Sequence, residues 1–198
     1  MDDKTQLTKN FIMVGMGQVD ISTDEKYIIG THALSPCIGF ILHSKNMEKA
    51  IVGHISSSQL TDNERVNDLS FQISELICQN NLINVPFDLK IIEGTYPSQN
   101  FVYSHELDIL DIFGKSRYTL PEVLEEVVKK SNGINVNNTV FYQEDHSTNE
   151  VQLVDYYEGY GSGDKSKQFA FDAKSGTFVT DKVYFGPKYF EINNSNIK

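Results

Sequence analysis

The sequence contains no tryptophan and only two cysteines, Cys37 and Cys78. Two cysteines cannot build the disulfide framework that stabilises small secreted domains. The first residues, Met1 to Thr5, lack the charged and then apolar layout of a secretory signal. These absences predict that the chain starts in a reducing cytoplasm, with export by a specialised secretion system left open.

Positive charge is also scarce, because 17 Lys and Arg residues face 27 Asp and Glu residues and leave a net charge of −10. This balance argues against nucleic-acid binding, which depends on clustered basic residues. No apolar run approaches the roughly 18 residues of a membrane-spanning helix. We therefore expect a soluble protein whose partner is another protein, with no membrane insertion.

The length of 198 residues fits one domain with a substantial core. The polar N-terminal residues 1–10 are predicted to be flexible, residues 11–185 to form the single domain, and residues 186–198 to be a C-terminal tail.

Two strand-like segments dominate the most informative stretch, Thr31 to His54. From Cys37 to Leu42 and from Ala50 to Ile55, apolar residues alternate as they do in strands. The polar connector between them is short enough to favour an antiparallel hairpin. If the hairpin aligns its apolar faces, Cys37 lies opposite His54 or one diagonal step away on the same face.

A cysteine beside a histidine has a specific chemical use. The imidazole can take the thiol proton and stabilise a thiolate beside an imidazolium, and a backbone N–H near Cys37 is a candidate oxyanion donor. The competing interpretation is structural, with Cys37 as a small buried apolar side chain and His54 as a hydrogen-bonded core histidine. The residues by themselves leave both interpretations open.

Thr31, Leu34 and Cys37, followed by a hydrophobic strand and Gly53-His54, form a pattern that resembles the CheD family of bacterial protein-glutamine deamidases. That family is related to the catalytic domain of cytotoxic necrotizing factor. The resemblance implies that Cys37 attacks a glutamine carboxamide of a protein substrate and that His54 acts as general base and then as acid. Thr31 would orient the site, and water would release glutamate.

The chain departs from the family pattern at two places. Ser35-Pro36 stands where the family has Gly-Ser, and Glu93-Gly94-Thr95 stands where it has Gly-Gly-Ala. Pro36 removes one backbone N–H beside the nucleophile. These differences indicate an altered oxyanion geometry and an altered substrate-facing loop.

The remaining elements predict an α+β protein. The resemblance to the CheD family further implies a layered α/β/β CheD-like fold with mostly antiparallel sheets and two main helices. A capping box and an apolar stripe predict a helix from about Asp62 to Asn80. A second helix is predicted to begin at Thr119-Leu120-Pro121 and to end before Gly133. Later strands are predicted at Thr139–Gln143, Val151–Tyr156, Lys167–Asp172 and Thr177–Phe185.

Other candidate residues are given structural interpretations. Cys78 is predicted to be buried or inert at the end of the first helix. His105, Asp108 and Asp111 alternate with apolar residues, which favours a solvated edge or helix face over a metal site. No metal and no cofactor is expected.

Two segments have no assigned role in the sequence. Residues 96–118 are interpreted as an insertion. Tyr156–Asp164 mixes tyrosine and glycine, which suits either a mobile recognition loop or a flexible loop without a partner.

The predicted function is a cysteine-dependent protein-glutamine deamidase acting on a protein with an exposed glutamine. It is placed in the bacterial cytoplasm, either in chemotaxis or as an exported effector or toxin. Two alternatives remain: a non-catalytic protein-binding module, and another thiol acyl-transfer enzyme such as a protease or a transglutaminase-like enzyme.

Overall fold

The computed structural model describes residues 11–95, 101–110, 115–142, 152–155 and 165–179. The predicted flexible N-terminus, the C-terminal tail, Asp111 and the segment Tyr156–Asp164 lie outside these residues.

The described residues form twelve strands and two α-helices, which makes the protein α+β with strands in the majority. The strands are β1 (Phe11–Met13), β2 (Gln18–Ile21), β3 (Ile28–Leu34), β4 (Cys37–Ser44), β5 (Lys49–Ser56), β6 (Pro86–Glu93), β7 (Phe101–Tyr103), β8 (Arg117–Thr119), β9 (Asn135–Tyr142), β10 (Gln152–Asp155), β11 (Lys165–Asp172) and β12 (Thr177–Phe178). The helices are α1 (Asn63–Gln79) and α2 (Leu120–Lys130).

Two five-stranded sheets and one small hairpin organise these strands. The central sheet has the order β2-β5-β4-β6-β9. The outer sheet has the order β1-β3-β11-β10, with β12 paired to β11, and β7 pairs with β8 alone. Both large sheets are mixed, because β1 runs parallel to β3 and β6 runs parallel to β9, whereas the other pairs are antiparallel.

The central sheet lies between the helices and the outer sheet. Alternation along β4 explains this arrangement: Ile38, Phe40 and Leu42 pack in the core shared with the helices, whereas Cys37 and Ile41 pack in the core shared with the outer sheet. The predicted α+β class with two main helices is confirmed. The more specific expectation of a CheD-like fold is not confirmed.

Both helices follow their capping signals. Asp62 caps α1 by accepting a hydrogen bond from the backbone N–H of Arg65 at 3.1 Å. Thr119 and Glu122 form the capping box of α2, whose second residue is Pro121. The predicted helix bounds agree with these caps to within a few residues.

The glycine-containing segment from Phe11 to Val19 is divided between the two sheets. β1 belongs to the outer sheet and β2 belongs to the central sheet. Gly17 has a φ of 79°, a left-handed conformation that glycine adopts without strain. The turn therefore carries the chain from the outer sheet to the central sheet, which no alternation pattern signals.

Cys78, predicted to be buried or inert, is exposed, so the first of these two outcomes is excluded and the second stays a prediction. It lies on α1 next to the buried Ile77, one step off the apolar stripe. Within the described ranges, no helix is both long and apolar enough to cross a membrane.

Candidate functional site

The hairpin β4–β5 has the register that aligns its apolar faces. Ile38 lies opposite Ile55, Gly39 opposite His54 and Cys37 opposite Ser56. Cys37 and His54 are therefore diagonal neighbours on the face that points to the outer sheet. This is one of the two placements that the sequence predicted.

Thr31 reaches the same place from the outer sheet. Its hydroxyl lies 2.8 Å from Nδ1 of His54 and donates to the carbonyl oxygen of Val14, also at 2.8 Å. A hydroxyl has one hydrogen, so with that hydrogen on Val14 the ring N–H at Nδ1 is the donor to Thr31. The structure thus brings the three residues predicted as the site together.

The second ring nitrogen of His54 carries the unprotonated lone pair as a result. Nε2 is buried and makes no hydrogen bond to Cys37 or to any other described residue. A buried polar atom without a partner costs free energy and is uncommon in folded proteins. This atom is therefore the clearest indication of a chemical function in the described chain.

The site is closed to bulk water and electrically neutral. Cys37 is 4% exposed and His54 is 3% exposed. Burial raises the pKa of the Cys37 thiol, and burial together with the nearby His32 lowers the pKa of His54 to about 4. At neutral pH the pair is a thiol and a neutral imidazole, which corrects the expectation of a thiolate beside an imidazolium.

The segment before Cys37 is held in place by close packing against the backbone of Gly94. A Cβ atom placed on Gly94 would lie 2.1 Å from the carbonyl oxygen of Ser35 and 2.6 Å from that of Cys37. Only glycine leaves room for this contact. Gly94 lies within Glu93-Gly94-Thr95, the segment that departs from a family motif, and it holds the backbone that carries the thiol.

Two polar residues beside His54 were not predicted from the sequence. Gln18 pairs with His54 across β2 and β5, and His32 lies close enough to His54 to influence its protonation. Strand alternation places His32 on the face opposite Thr31, so the sequence carries no direct signal for it. Between Thr31 and Leu34 strand β3 contains a β-bulge: it uses three residue steps where β11 uses two, and Ala33 has a φ of 60°.

No metal site was found in the part of the chain that the structure describes, since no three His, Cys, Asp or Glu side chains converge there. His105 and Asp108 lie near the β7–β8 hairpin, where the ring of His105 stacks on Tyr103 at 5.7 Å. Asp111 lies outside the described residues.

Comparison with known proteins gives matches among solved structures alone. No family model matches the chain, and no curated protein does. The hypothetical protein YfiH of Bacillus licheniformis has a TM-score of 0.47 at 11% identity over 77% of this chain. The match covers 60% of YfiH, so the chain spans well under the whole length of that protein.

A second match is protein NMB0706 of Neisseria meningitidis, from the family DUF152, with a TM-score of 0.41 and 8% identity. It covers 84% of this chain and 76% of that protein.

These findings overturn the assignment to the CheD family. Neither solved structure is a CheD-type deamidase or a cytotoxic necrotizing factor domain. The expected glutamine-deamidase function was therefore wrong, and so were the chemotaxis and effector roles that followed from it. The resemblance rested on the spacing of Thr31, Cys37 and His54 in two short strands, and a match of so few residues does not determine a family.

Proposed function

We propose that Cys37, His54 and Thr31 form a thiol–imidazole site for acyl transfer from an ester, thioester or peptide carbonyl. The observation that carries this proposal is the buried, unpartnered Nε2 of His54 on the same sheet face as the Cys37 thiol. Thr31 supports it, because the bond to Nδ1 selects the tautomer in which Nε2 can accept a proton.

The reaction follows from the neutral pair. Sγ of Cys37 attacks the acyl carbon while its proton passes to Nε2 of His54, and the carbonyl π pair moves onto oxygen. The tetrahedral intermediate collapses, the bond to the leaving group breaks, and the leaving group takes the proton from Nε2. Water or an amine then attacks the thioester, with His54 taking and returning the proton again.

The neutral resting state makes His54 a general base during attack rather than the partner of a preformed thiolate. Because the pKa of His54 is about 4, its imidazole stays able to accept a proton down to mildly acidic pH. The raised pKa of Cys37 keeps the thiol protonated until it meets a substrate. This combination gives low reactivity toward simple alkylating agents and requires a positioned acyl group.

The test uses p-nitrophenyl acetate as a small acyl probe, with p-nitrophenol release and intact mass as readouts. We expect one acetyl group on Cys37 and a burst of p-nitrophenol. Cys37→Ser should abolish both, and His54→Gln should slow acetylation about 100-fold or more. Thr31→Val should slow it by a smaller factor, and Thr31→Ser should restore it.

Cys78→Ser is the matched control, since Cys78 is the exposed cysteine and lies on a different element. It should leave the burst unchanged. Acetylation of Cys78 alone, or equal acetylation of Cys37 with and without His54, would refute the proposal. That outcome would favour a non-catalytic binding protein in which Cys37 is a buried apolar side chain.

A further inference from the structure

A polar cavity lies at the opposite end of strand β4 from Cys37. Its volume is about 90 Å³, which leaves room for several water-sized groups. The residues that line it are polar except for one proline: His43, Lys45, Asn46, Pro86, Asp88 and Asn137. His43 lies six residues along β4 from Cys37, a distance of roughly 20 Å in a strand. The cavity is therefore separate from the site at Cys37.

The imidazole of His43 is the buried part of the cavity wall, with 6% of the residue exposed. Its Nε2 lies 3.0 Å from the carbonyl oxygen of Ala173, and its ring packs edge-on against that of Phe171 at 5.1 Å. A Cβ atom on Gly176 would lie 2.7 Å from its Cε1, so the backbone also touches the ring. These contacts with the outer sheet fix the orientation of the imidazole.

The fixed ring leaves one hydrogen-bond acceptor for a ligand. A carbonyl oxygen can only accept, so Nε2 of His43 carries the hydrogen that is donated to Ala173. Burial lowers the pKa of His43, which keeps the ring neutral at neutral pH and leaves the lone pair on Nδ1. Among the described residues, Nδ1 has no hydrogen-bond partner. It is therefore available to a donor in the cavity.

The neighbouring strands place polar groups beside His43. Asp88 lies directly opposite His43 in the pairing of β4 with β6, so the two side chains share a sheet face. On the next strand, β9 uses two residue steps where β6 uses the single step from Phe87 to Asp88. The extra residue is Asn137, and this β-bulge brings it into the cavity wall.

Two opposite charges at the rim of this cavity are not neutralised by the protein. Lys45 and Asp88 are both exposed, and neither forms an ion pair with any residue that the structure describes. Lys90, the next lysine on β6, instead lies over the ring of Tyr142 at 5.9 Å. The cavity therefore offers one ammonium group and one carboxylate to a ligand and carries no net charge.

We propose that this cavity binds a small α-amino acid in its zwitterionic form. The ammonium group of the ligand donates to the carboxylate of Asp88 and to Nδ1 of His43. The carboxylate of the ligand pairs with Lys45, and the side-chain N–H groups of Asn46 and Asn137 are further donors to it. This binding site goes beyond the acyl transfer proposed for Cys37 and does not depend on it.

Other ligand classes fit the cavity less well. A simple anion is repelled by Asp88, and a simple cation is repelled by Lys45. A metal ion lacks ligands, because no third His, Cys, Asp or Glu side chain joins His43 and Asp88 within the described ranges. A ligand with both charges satisfies every polar group that the cavity presents.

The experiment titrates the protein with glycine and follows the ring C–H signals of His43 by NMR at pH 7. We expect a saturable shift of these signals, with calorimetry giving the same dissociation constant. Asp88→Asn and Lys45→Gln should each weaken binding about 10-fold, since each removes one charge-assisted hydrogen bond. Both residues are exposed, so these variants should fold. Lys45→Arg should retain most of the affinity.

Asp108→Asn and Lys26→Gln are the matched controls, since they remove the same charges from exposed positions outside the cavity. They should leave the affinity for glycine unchanged. Acetate and methylammonium, which each carry one of the two charges, should bind much more weakly than glycine.

Three results would overturn the inference. The first is the absence of a saturable shift of the His43 signals with glycine. The second is an equal affinity for glycine in wild type, Asp88→Asn and Lys45→Gln. The third is binding of acetate or methylammonium as tight as that of glycine, which would show a site for a single charge.

Discussion

Single residues at this site are constrained by contacts with distant parts of the chain. Thr31 would be an ordinary β-branched strand residue without Val14 and His54 as hydrogen-bond partners. Gly94 likewise looks like a strand terminator in the sequence, yet its backbone packs against the carbonyl oxygens of Ser35 and Cys37. At the residue scale, the geometry of the proposed site depends on such close contacts.

Gly94→Ala tests this constraint. The added methyl group meets backbone atoms that cannot rotate away, so the segment before Cys37 must shift. We expect a loss of about 1–3 kcal/mol in the free energy of unfolding and a large fall in the rate of Cys37 acetylation. Thermal unfolding and the acyl-probe assay measure the two effects.

The control for that variant is Gly15→Ala, where a Cβ would meet the flexible end of Gln18 at 2.9 Å. That side chain can move, so we expect a small change in stability. Equal losses from both variants would show that the contact of Gly94 with the Cys37 segment has no special role.

At the scale of helices and strands, some features follow from neighbouring residues and others follow from tertiary contacts. Helix α1 could be predicted because Asp62 and the stripe Val66, Leu69, Ile73 and Ile77 are local features. The β4–β5 hairpin could be predicted because the registers that align its two apolar faces all keep Cys37 and His54 on one face. The bulge in β3 could not, because it depends on the register with β11, which lies far away in the sequence.

Ala33→Gly examines the cost of the bulge. An alanine at a φ of 60° is strained, and glycine adopts this conformation freely. We expect the variant to be more stable by about 0.5–1 kcal/mol and to keep the acetylation rate of Cys37. Chemical denaturation gives the free energy of unfolding.

Asn84→Gly provides the comparison, since Asn84 also has a φ of 60° but asparagine tolerates this region. Its gain should be smaller than that of Ala33→Gly. A clear loss of stability in Ala33→Gly would mean that the backbone at the bulge is not strained.

At the scale of the whole molecule, the central sheet has a core on each side, and burial in these cores is the main cause of the pKa shifts of the histidines. Burial lowers the pKa of His32, His43 and His54, because a charged imidazole is disfavoured away from water. His43 lies far along β4 from Cys37, and its Nε2 is hydrogen-bonded to the carbonyl oxygen of Ala173 at 3.0 Å.

We propose that residues 11–185 form a single domain that unfolds in one transition.

The stability of that domain should depend on pH through His54. Its pKa falls from 6.5 in the unfolded chain to about 4 in the folded protein. Between these values the unfolded state binds more protons, so the contribution is fully present above pH 6.5 and is lost as the pH falls toward 4. This difference in the pKa of His54 contributes roughly 3 kcal/mol to the free energy of unfolding.

The measurement is the free energy of unfolding in urea at several pH values from 4 to 7. Wild type should lose stability steadily over this range, and His54→Gln should show a flatter profile because its side chain does not titrate. Parallel profiles for the two proteins would contradict the lowered pKa of His54. Two separate unfolding transitions would contradict the single domain.

The sequence by itself determined the helices, the central hairpin and the placement of Cys37 and His54 on one sheet face, because caps and alternation act over neighbouring residues. Only the tertiary structure decided the division of the first strands between two sheets, the bulge at Ala33 and the neutral state of the thiol–imidazole pair. These features arise from pairing and burial between distant segments, and no local pattern of side chains encodes them. The burial of Cys37 therefore depends on how the two sheets pack over it.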